Sequence, residues 1–213
     1  VGVTVFNVSL IDWDRNLKGE NRWFEKNTLS RSCAGWISIS PAQFQLKKGE
    51  VKEITFVIDV PQDAQGTYWT AIYIKPSRAT SFQEGTAIQT YIEFKVKIYE
   101  TPPGTEKKRG KVTGMELLGI NPLRMNIIFQ NTGNVHLKPQ GRVEIRDTTG
   151  KIVKKIPIPE FPVLPGARRL LEVSEEEGDF LPPGQYLALG IIDYGGDILV
   201  AGQLIFRVEG TSK

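Results

Sequence analysis

The chain has 213 residues, of which 40% are hydrophobic and 24% charged, so its composition is that of a folded protein rather than a disordered one. Its net charge of +3 is small, and its lysines and arginines are spread among acidic residues, which argues against nucleic-acid binding. No apolar run approaches the ~20 residues that cross a bilayer, so we expect any membrane anchor to lie outside this sequence.

The chain opens within a strand pattern. Val1, Val3 and Val5 alternate with other residues and no initiator methionine precedes them, so we expect the chain to be trimmed at its start. Further along, alternating apolar residues predict strands in the front half, namely Ile54, Phe56, Ile58 and Val60, and then Ile88, Ile92, Phe94, Val96 and Ile98. A period of two places one set of side chains on a buried face and the other in water.

The back half repeats the pattern of the front half. FQLKKGE (44–50) leads into strands as FPVLPGA (161–167) does, and each is followed by a Gly-x-Tyr element that ends in Tyr68 or Tyr186. In immunoglobulin-type sandwiches such a tyrosine folds over a corner and donates its hydroxyl to an upstream carbonyl. We therefore expect a structural role for both tyrosines, with the closer match to the pattern at Tyr68.

These repeats predict an all-β protein of two tandem immunoglobulin-like β-sandwiches. We expect the first domain at residues 1–100, a linker at 101–111 where prolines and charges interrupt the strands, and the second domain at 112–213.

The front unit is predicted to lack its initial strands. The back unit has a long lead-in, Val112 to His136, before its first matching strand, whereas the front unit begins almost directly in the equivalent strand. A sandwich that starts about two strands late has an open apolar flank, which another strand would fill. Three fillers are open: an upstream part of the same protein, a neighbouring copy, or a strand of a client protein.

The candidate partner-binding residues lie at the start of the chain. We expect the strand at 3–12 to offer one free edge, with Phe6, Val8 and Leu10 as its inward apolar row and with Trp13 and Trp23 in or over the open flank. The two tryptophans are equally compatible with a lid packed on their own domain.

The sequence gives little support for a catalytic site or a metal site. Cys33 is the single cysteine and His136 the single histidine, so a zinc site of the usual kind is excluded, and no cofactor site is expected. Asp12 and Asp14 begin like a calcium loop, but Leu17 and Trp23 occupy the positions that would need glycine and glutamate. We interpret this segment as a polar turn after the first strand.

One segment carries a family resemblance. Residues Trp36 to Ile74 combine a proline-led strand, a Leu-x-x-Gly-Glu turn and a Val-Pro-x-x-Ala-x-Gly-x-Tyr element. This segment resembles bacterial extracytoplasmic domains of the pilus-chaperone and major-sperm-protein type. The back half, with FQNTGNVHLKPQGRVEIRDTTGK and LPPGQYLALGIIDYGG, is similar to the second domain of such proteins, including those that interact with WxL surface proteins.

The resemblance implies a non-catalytic role at the bacterial cell envelope. Proteins of these families bind pilus subunits, other surface proteins or peptidoglycan. Pilus chaperones anchor a client's carboxylate through basic residues on early strands of the first domain, and those strands are missing here, so no anchoring residue is carried over.

We therefore expect a non-enzymatic, extracytoplasmic interaction module that is completed or assembled by β-strand addition, with another protein strand or a copy of itself as partner. The alternative is a carbohydrate-binding or peptidoglycan-binding accessory domain that uses Trp13, Trp23 and Trp69 on an exposed face.

Overall fold

The computed structural model describes residues 3–77, 92–175 and 180–210. The chain divides into two compact units, unit 1 with Val1–Asp14 and Arg22–Pro102, and unit 2 with Arg15–Asn21 and Pro103–Lys213. Along the chain the main change of unit follows Pro102, within the segment expected to be a linker, although Gly110 and Lys111 of that segment already belong to a strand. The role of 101–111 as a linker stays a prediction.

The described residues of the first half form strands joined by turns. The strands are β1 (Thr4–Arg15), β2 (Asn21–Glu25), β3 (Ile37–Ser40), β4 (Gln43–Leu46), β5 (Thr55–Ile58), β6 (Tyr68–Pro76) and β7 (Phe94–Glu100). One sheet has the order β2-β1-β6-β7, with β4 also beside β1, and the other contains only β3 and β5. The alternating run predicted from Ile88 begins as a strand at Phe94, and its residues 88–91 lie outside the described part of the chain.

The second unit has two fuller sheets. Its strands are β8 (Gly110–Ile120), β9 (Leu123–Asn131), β10 (Gln140–Arg146), β11 (Ile152–Ile158), β12 (Arg168–Ser174), β13 (Gly184–Asp193) and β14 (Val200–Val208). One sheet has the order β11-β10-β13-β14 and the other β12-β9-β8. On β9 the period of two is clear, because Met125, Ile127 and Phe129 are fully buried between more exposed neighbours.

The architecture confirms the all-β fold of two immunoglobulin-like sandwiches. The repeated turn before each matching strand carries a glycine with a positive φ, 88° at Gly49 and 74° at Gly166, a conformation that glycine adopts without strain. The two-stranded sheet β3-β5 agrees with a first sandwich that lacks its initial strands, since unit 2 has three strands in its corresponding sheet.

The two repeated tyrosines differ in their contacts. The Tyr186 hydroxyl donates to the Pro182 carbonyl at 2.9 Å, which is the corner geometry expected from sequence. Tyr68 uses its ring instead. Its ring centroid lies 4.4 Å from that of Trp36 with the two rings tilted, and the Arg31 guanidinium lies 5.3 Å from the Tyr68 centroid. The stronger sequence match therefore lacks the corner bond among the described residues, and the weaker match has it.

Candidate functional site

The candidate site is one apolar face of the larger sheet of unit 1. Residues directly opposite each other in neighbouring strands project to the same side of a sheet. In the observed register Leu10 of β1 lies opposite Ile72 of β6, and Ile72 lies opposite Val96 of β7. One step along, Val8 lies opposite Ile74 and Ile74 opposite Phe94. An apolar face therefore runs across three strands; we call it the β1-β6-β7 face.

This face is closed at its centre and open at β7. Val8 is 8% exposed and Ile72 is 5% exposed, whereas Phe94 is 52% and Val96 is 53% exposed. β7 is also the last strand of its sheet, so within the described residues its outer backbone edge pairs with no other strand. Natural proteins usually cover or charge such an edge. An apolar row beside an unpaired edge is therefore a candidate site for another polypeptide strand.

The smaller sheet of unit 1 also has an unpaired edge. The Asp59 backbone N–H donates to the Trp36 carbonyl at 2.9 Å, so this amide points toward β3. Because amides alternate in direction along a strand, the N–H groups of Phe56 and Ile58 point to the opposite side. No strand lies on that side among residues 3–77, 92–175 and 180–210. Phe56 and Val57 are 43% and 57% exposed, in contrast to the predicted alternation of buried and exposed residues.

β1 does not have the free edge expected from sequence. It pairs with β4 along Thr4 to Asn7 on one side and with β6 along Phe6 to Ile11 on the other, and β2 joins it further along. The expectation of an edge strand at 3–12 is therefore corrected: β1 is an internal strand, because the chain folds back to place β4 beside it. Phe6 is half-buried and its ring stacks on Phe44 with centroids 5.3 Å apart.

Trp13 packs within its own domain. Its side chain is fully buried on the side of the sheet opposite to the β1-β6-β7 face, and its indole N–H donates to the Thr70 carbonyl at 3.2 Å. Its own carbonyl accepts a hydrogen bond from the Trp69 indole at 2.6 Å. The Tyr99 ring meets it edge-on at 5.7 Å and the Lys97 ammonium lies 3.8 Å from its centroid. These contacts fit the lid described above and leave Trp13 no surface for a partner.

Trp23 is the exposed member of this aromatic cluster. It is 37% exposed, and its ring centroid lies 6.3 Å from that of Trp13. The Lys95 ammonium lies 5.2 Å from the Trp23 centroid. A cation over an indole face adds a modest attraction. A carbohydrate platform would need several exposed rings, but Trp13 is 0% and Trp69 is 6% exposed. The structure therefore gives no support to the sugar-binding alternative.

Asp12 has a structural role in place of a calcium-binding one. It lies buried in β1 rather than in a turn, and its carboxylate accepts hydrogen bonds from the backbone of Thr28 at 2.8 Å and Leu29 at 2.9 Å. The Ser32 hydroxyl donates to the other oxygen at 2.6 Å. The carboxylate thus holds the loop at 28–32 against β1. Among the described residues no group of three His, Cys, Asp or Glu side chains could hold a metal ion.

Cys33 is unsuited to nucleophilic chemistry. It is fully buried, and burial raises the pKa of its thiol to about 12. The thiolate is the reactive form of cysteine, so this thiol is inert near neutral pH.

The sequence does not identify the exposed residues of β7 and β5 as site residues. Phe94, Val96 and Phe56 were part of the alternating runs noted in the sequence, but such a run predicts burial rather than exposure. The missing signal was the pairing partner of each strand, which periodicity does not contain.

Several solved structures match nearly the whole chain, and two of them are described here. A chaperone–tip adhesin complex of CFA/I fimbriae biogenesis matches with a TM-score of 0.51 and 12% identity, over 96% of this chain and 85% of that chain. The class 5 fimbriae chaperone CfaA matches with a TM-score of 0.50 and 12% identity, over the same shares of the two chains.

The chain has the fold of the fimbrial chaperones. At this identity the likeness establishes the two-domain immunoglobulin-like fold alone. No protein-family model matches the sequence, and no curated protein matches it. The resemblance to WxL-interacting proteins stays a prediction. The described residues include no helix with the length and apolar character needed to cross a membrane.

Proposed function

We propose that this chain is a non-catalytic module that binds another polypeptide by β-strand addition. The observation that carries the proposal is β7, an apolar strand at the end of its sheet whose Phe94 and Val96 side chains are 52% and 53% exposed. A strand added to such an edge gains backbone hydrogen bonds, and the alternating side chains select its partner.

The packing of the sheet supports this use of β7. On the side away from the apolar row, Lys97 lies over Trp13, and the Lys95 ammonium lies 4.8 Å from the Tyr73 centroid. These contacts hold β7 in place before a partner arrives, which lowers the conformational entropy lost on binding. In the same proposal Phe6, Val8 and Leu10 support the apolar row from within, and Trp23 is a contact at the other face.

We further propose that the partner is a surface or pilus-type subunit and that binding takes place outside the cytoplasm. One of the similar structures is a chaperone bound to a tip adhesin, which supports a role of this kind. Peptidoglycan and polysaccharide are left out of the proposal, because the tryptophans that would bind them are mostly buried.

Capture of the partner from the native source tests the proposal. The unsubstituted chain and a Val153→Glu control, which makes the same change at a 41% exposed valine of β11 in unit 2, should retain the same protein, identified by mass spectrometry. A Val96→Glu variant places a charge in the apolar row and should retain at least about tenfold less of it. If Val96→Glu retains the same protein as well as the control does, strand addition at β7 is excluded.

A further inference from the structure

Arg169 occupies a core-facing position of β12 in unit 2. Among the described strands β12 is at the end of its sheet, and Arg169 lies opposite Phe129 of β9, which is fully buried. Residues that lie opposite each other in neighbouring strands project to the same side of a sheet. Leu171 and Val173 follow on that side and pack in the core of the unit. A cation in this apolar row is costly for the fold unless a partner compensates its charge.

The guanidinium group of Arg169 has donors without acceptors. Its Nε and Nη1 atoms are buried, and neither forms a hydrogen bond with a described residue. Burial and the nearby charge of Arg15 lower the pKa of Arg169, while Glu20 acts in the opposite direction. Buried polar groups in native proteins nearly always have a partner. The unpaired N–H groups therefore indicate an acceptor that the described residues do not supply.

The turn between β1 and β2 lies against this side chain. Residues 15–21 belong to unit 2, and the Leu17 carbonyl accepts a hydrogen bond from the Leu170 backbone at 2.8 Å. A Cβ atom at Gly19 would overlap the Arg169 guanidinium, so the guanidinium lies directly on the turn. The turn is thus fixed against the strand that carries the unpaired donors.

A hollow of about 570 Å³ lies beside these groups. Its walls include Lys18 of the turn, Arg169 of β12 and residues 157–161 at the end of β11. Lys18 is exposed, so its ammonium is accessible to a ligand in solution. The hollow offers the space in which an acceptor could meet both basic side chains.

The charges around the hollow do not balance. Its two acidic wall residues each lie beside a basic residue, Glu160 at 3.8 Å from Lys138 and Glu172 at 4.0 Å from Arg124. The cluster at the turn has three basic residues and one acidic residue, namely Arg15, Lys18, Arg169 and Glu20. Three positive charges less one negative charge leave an excess of two. A phosphate group carries a charge of about −2 near neutral pH, which matches this excess.

We propose that Arg169 and Lys18 form a binding site for a phosphate dianion, free or as a monoester. The guanidinium turns toward the hollow and donates to phosphate oxygens, and the Lys18 ammonium adds a second charged contact. A single carboxylate would neutralise only half of the excess charge. This inference goes beyond the proposed function and does not depend on the edge of β7, because all of its residues belong to unit 2.

Calorimetry of the full chain with inorganic phosphate tests the inference. At constant ionic strength the unsubstituted chain should bind one phosphate, and Arg169→Gln should bind it at least about tenfold more weakly, since the variant lacks the charged donors. The matched control is Arg168→Gln, which removes the neighbouring arginine from the exposed side of β12. This control should bind phosphate within about twofold of the unsubstituted chain.

Thermal unfolding gives a second readout. Without phosphate, Arg169→Gln should melt at least as high as the unsubstituted chain, because it removes a buried charge that has no partner. Phosphate should raise the melting temperature of the unsubstituted chain and of Arg168→Gln, but not that of Arg169→Gln. Lys18→Gln changes only an exposed side chain, so its folding is not at risk, and it should bind phosphate about fivefold more weakly.

Dimethyl phosphate tests the charge of the ligand. It has one negative charge, as the diesters of phospholipid headgroups have, and should bind at least about tenfold more weakly than inorganic phosphate. The inference is wrong if phosphate does not bind, if Arg169→Gln binds it as well as Arg168→Gln does, or if dimethyl phosphate binds as tightly as phosphate. The capture experiment with Val96→Glu is unaffected by each of these results, so failure here and failure of the proposed function are distinguishable.

Discussion

Ile72 and Val96 lie directly opposite each other on β6 and β7, yet Ile72 is 5% exposed and Val96 is 53% exposed. Two apolar side chains on the same side of one sheet would normally share their burial, because a single layer covers both. The buried part of this sheet face therefore ends between β6 and β7. It is also the simplest measure of how far the first sandwich is open.

The corner tyrosines should respond differently to loss of the hydroxyl. Tyr186→Phe removes the hydrogen bond to the Pro182 carbonyl and should lower the free energy of unfolding of unit 2 by about 1 kcal/mol. Tyr68→Phe keeps the ring on Trp36 and should change the stability of unit 1 by less than about 0.5 kcal/mol. Differential scanning calorimetry of both variants checks this, and equal effects would contradict the corner assignment.

Asp12 should matter far more than Asp14. Asp12→Ala leaves two backbone N–H groups and the Ser32 hydroxyl without their acceptor and should cost roughly 3 kcal/mol or more. Asp14→Ala breaks an ion pair with Arg22 at the surface and should cost about 0–1 kcal/mol. All four tryptophans lie in the first 69 residues, so their fluorescence during urea unfolding follows unit 1. Similar midpoints for the two variants would exclude the role assigned to Asp12.

Glu144 should make the stability of unit 2 depend on pH. Arg146 donates to its carboxylate at 2.6 Å and Arg142 at 2.8 Å, and these bonds hold the pKa of Glu144 below its ordinary value of 4.5. A lowered pKa means that the charged form stabilises the folded state, fully above the unfolded pKa and progressively less as pH falls through the folded one.

The test compares the melting temperatures of Glu144→Gln and the unsubstituted chain from neutral pH to below pH 4.5. The variant should melt lower at neutral pH, and the gap should close as the pH falls below 4.5. Glu172→Gln is the control, since Glu172 makes only an exposed contact of 4.0 Å to Arg124 and should show little gap at any pH. A gap for Glu144→Gln that stays constant with pH would refute this account.

Cys33 should be unreactive until unit 1 opens. Its thiol is buried and its pKa is raised to about 12, so maleimide labelling near neutral pH should be on the order of a hundredfold slower than in urea. A Ser9→Cys, Cys33→Ala protein has its thiol at an exposed position of β1 and should label rapidly in both conditions. Rapid labelling of Cys33 in the folded chain would mean that its surroundings are more open than described.

The fold could be predicted from the sequence because its signals are local. The period of two on β9 and the paired glycine turns at Gly49 and Gly166 each depend on a few neighbouring residues, and both recur in the structure. The two-sandwich architecture follows from their repetition.

The site could not be predicted, because it depends on which strands are neighbours. The alternation of Phe6, Val8 and Leu10 identifies an apolar face but not the strands on either side of β1, so β4 was not expected there. The sequence pattern is the same for a buried and an exposed tryptophan. Trp13 is covered by Lys97 and Tyr99 of β7, which are more than 80 residues away in the sequence. For Phe94 and Val96 the pattern predicts burial, and the exposure arises because no described strand covers them.

Amide hydrogen exchange of the unliganded chain tests most directly whether the first sandwich is open. The Phe56 and Ile58 amides on the free side of β5 should exchange at rates near those of an unstructured peptide, while the amides of Met125 and Ile127 on β9, which lies between two other strands, should be protected by several orders of magnitude. If Phe56 and Ile58 are protected as strongly as β9 in a monomeric chain, the edge of β5 is already covered, and the account of an open first sandwich is wrong.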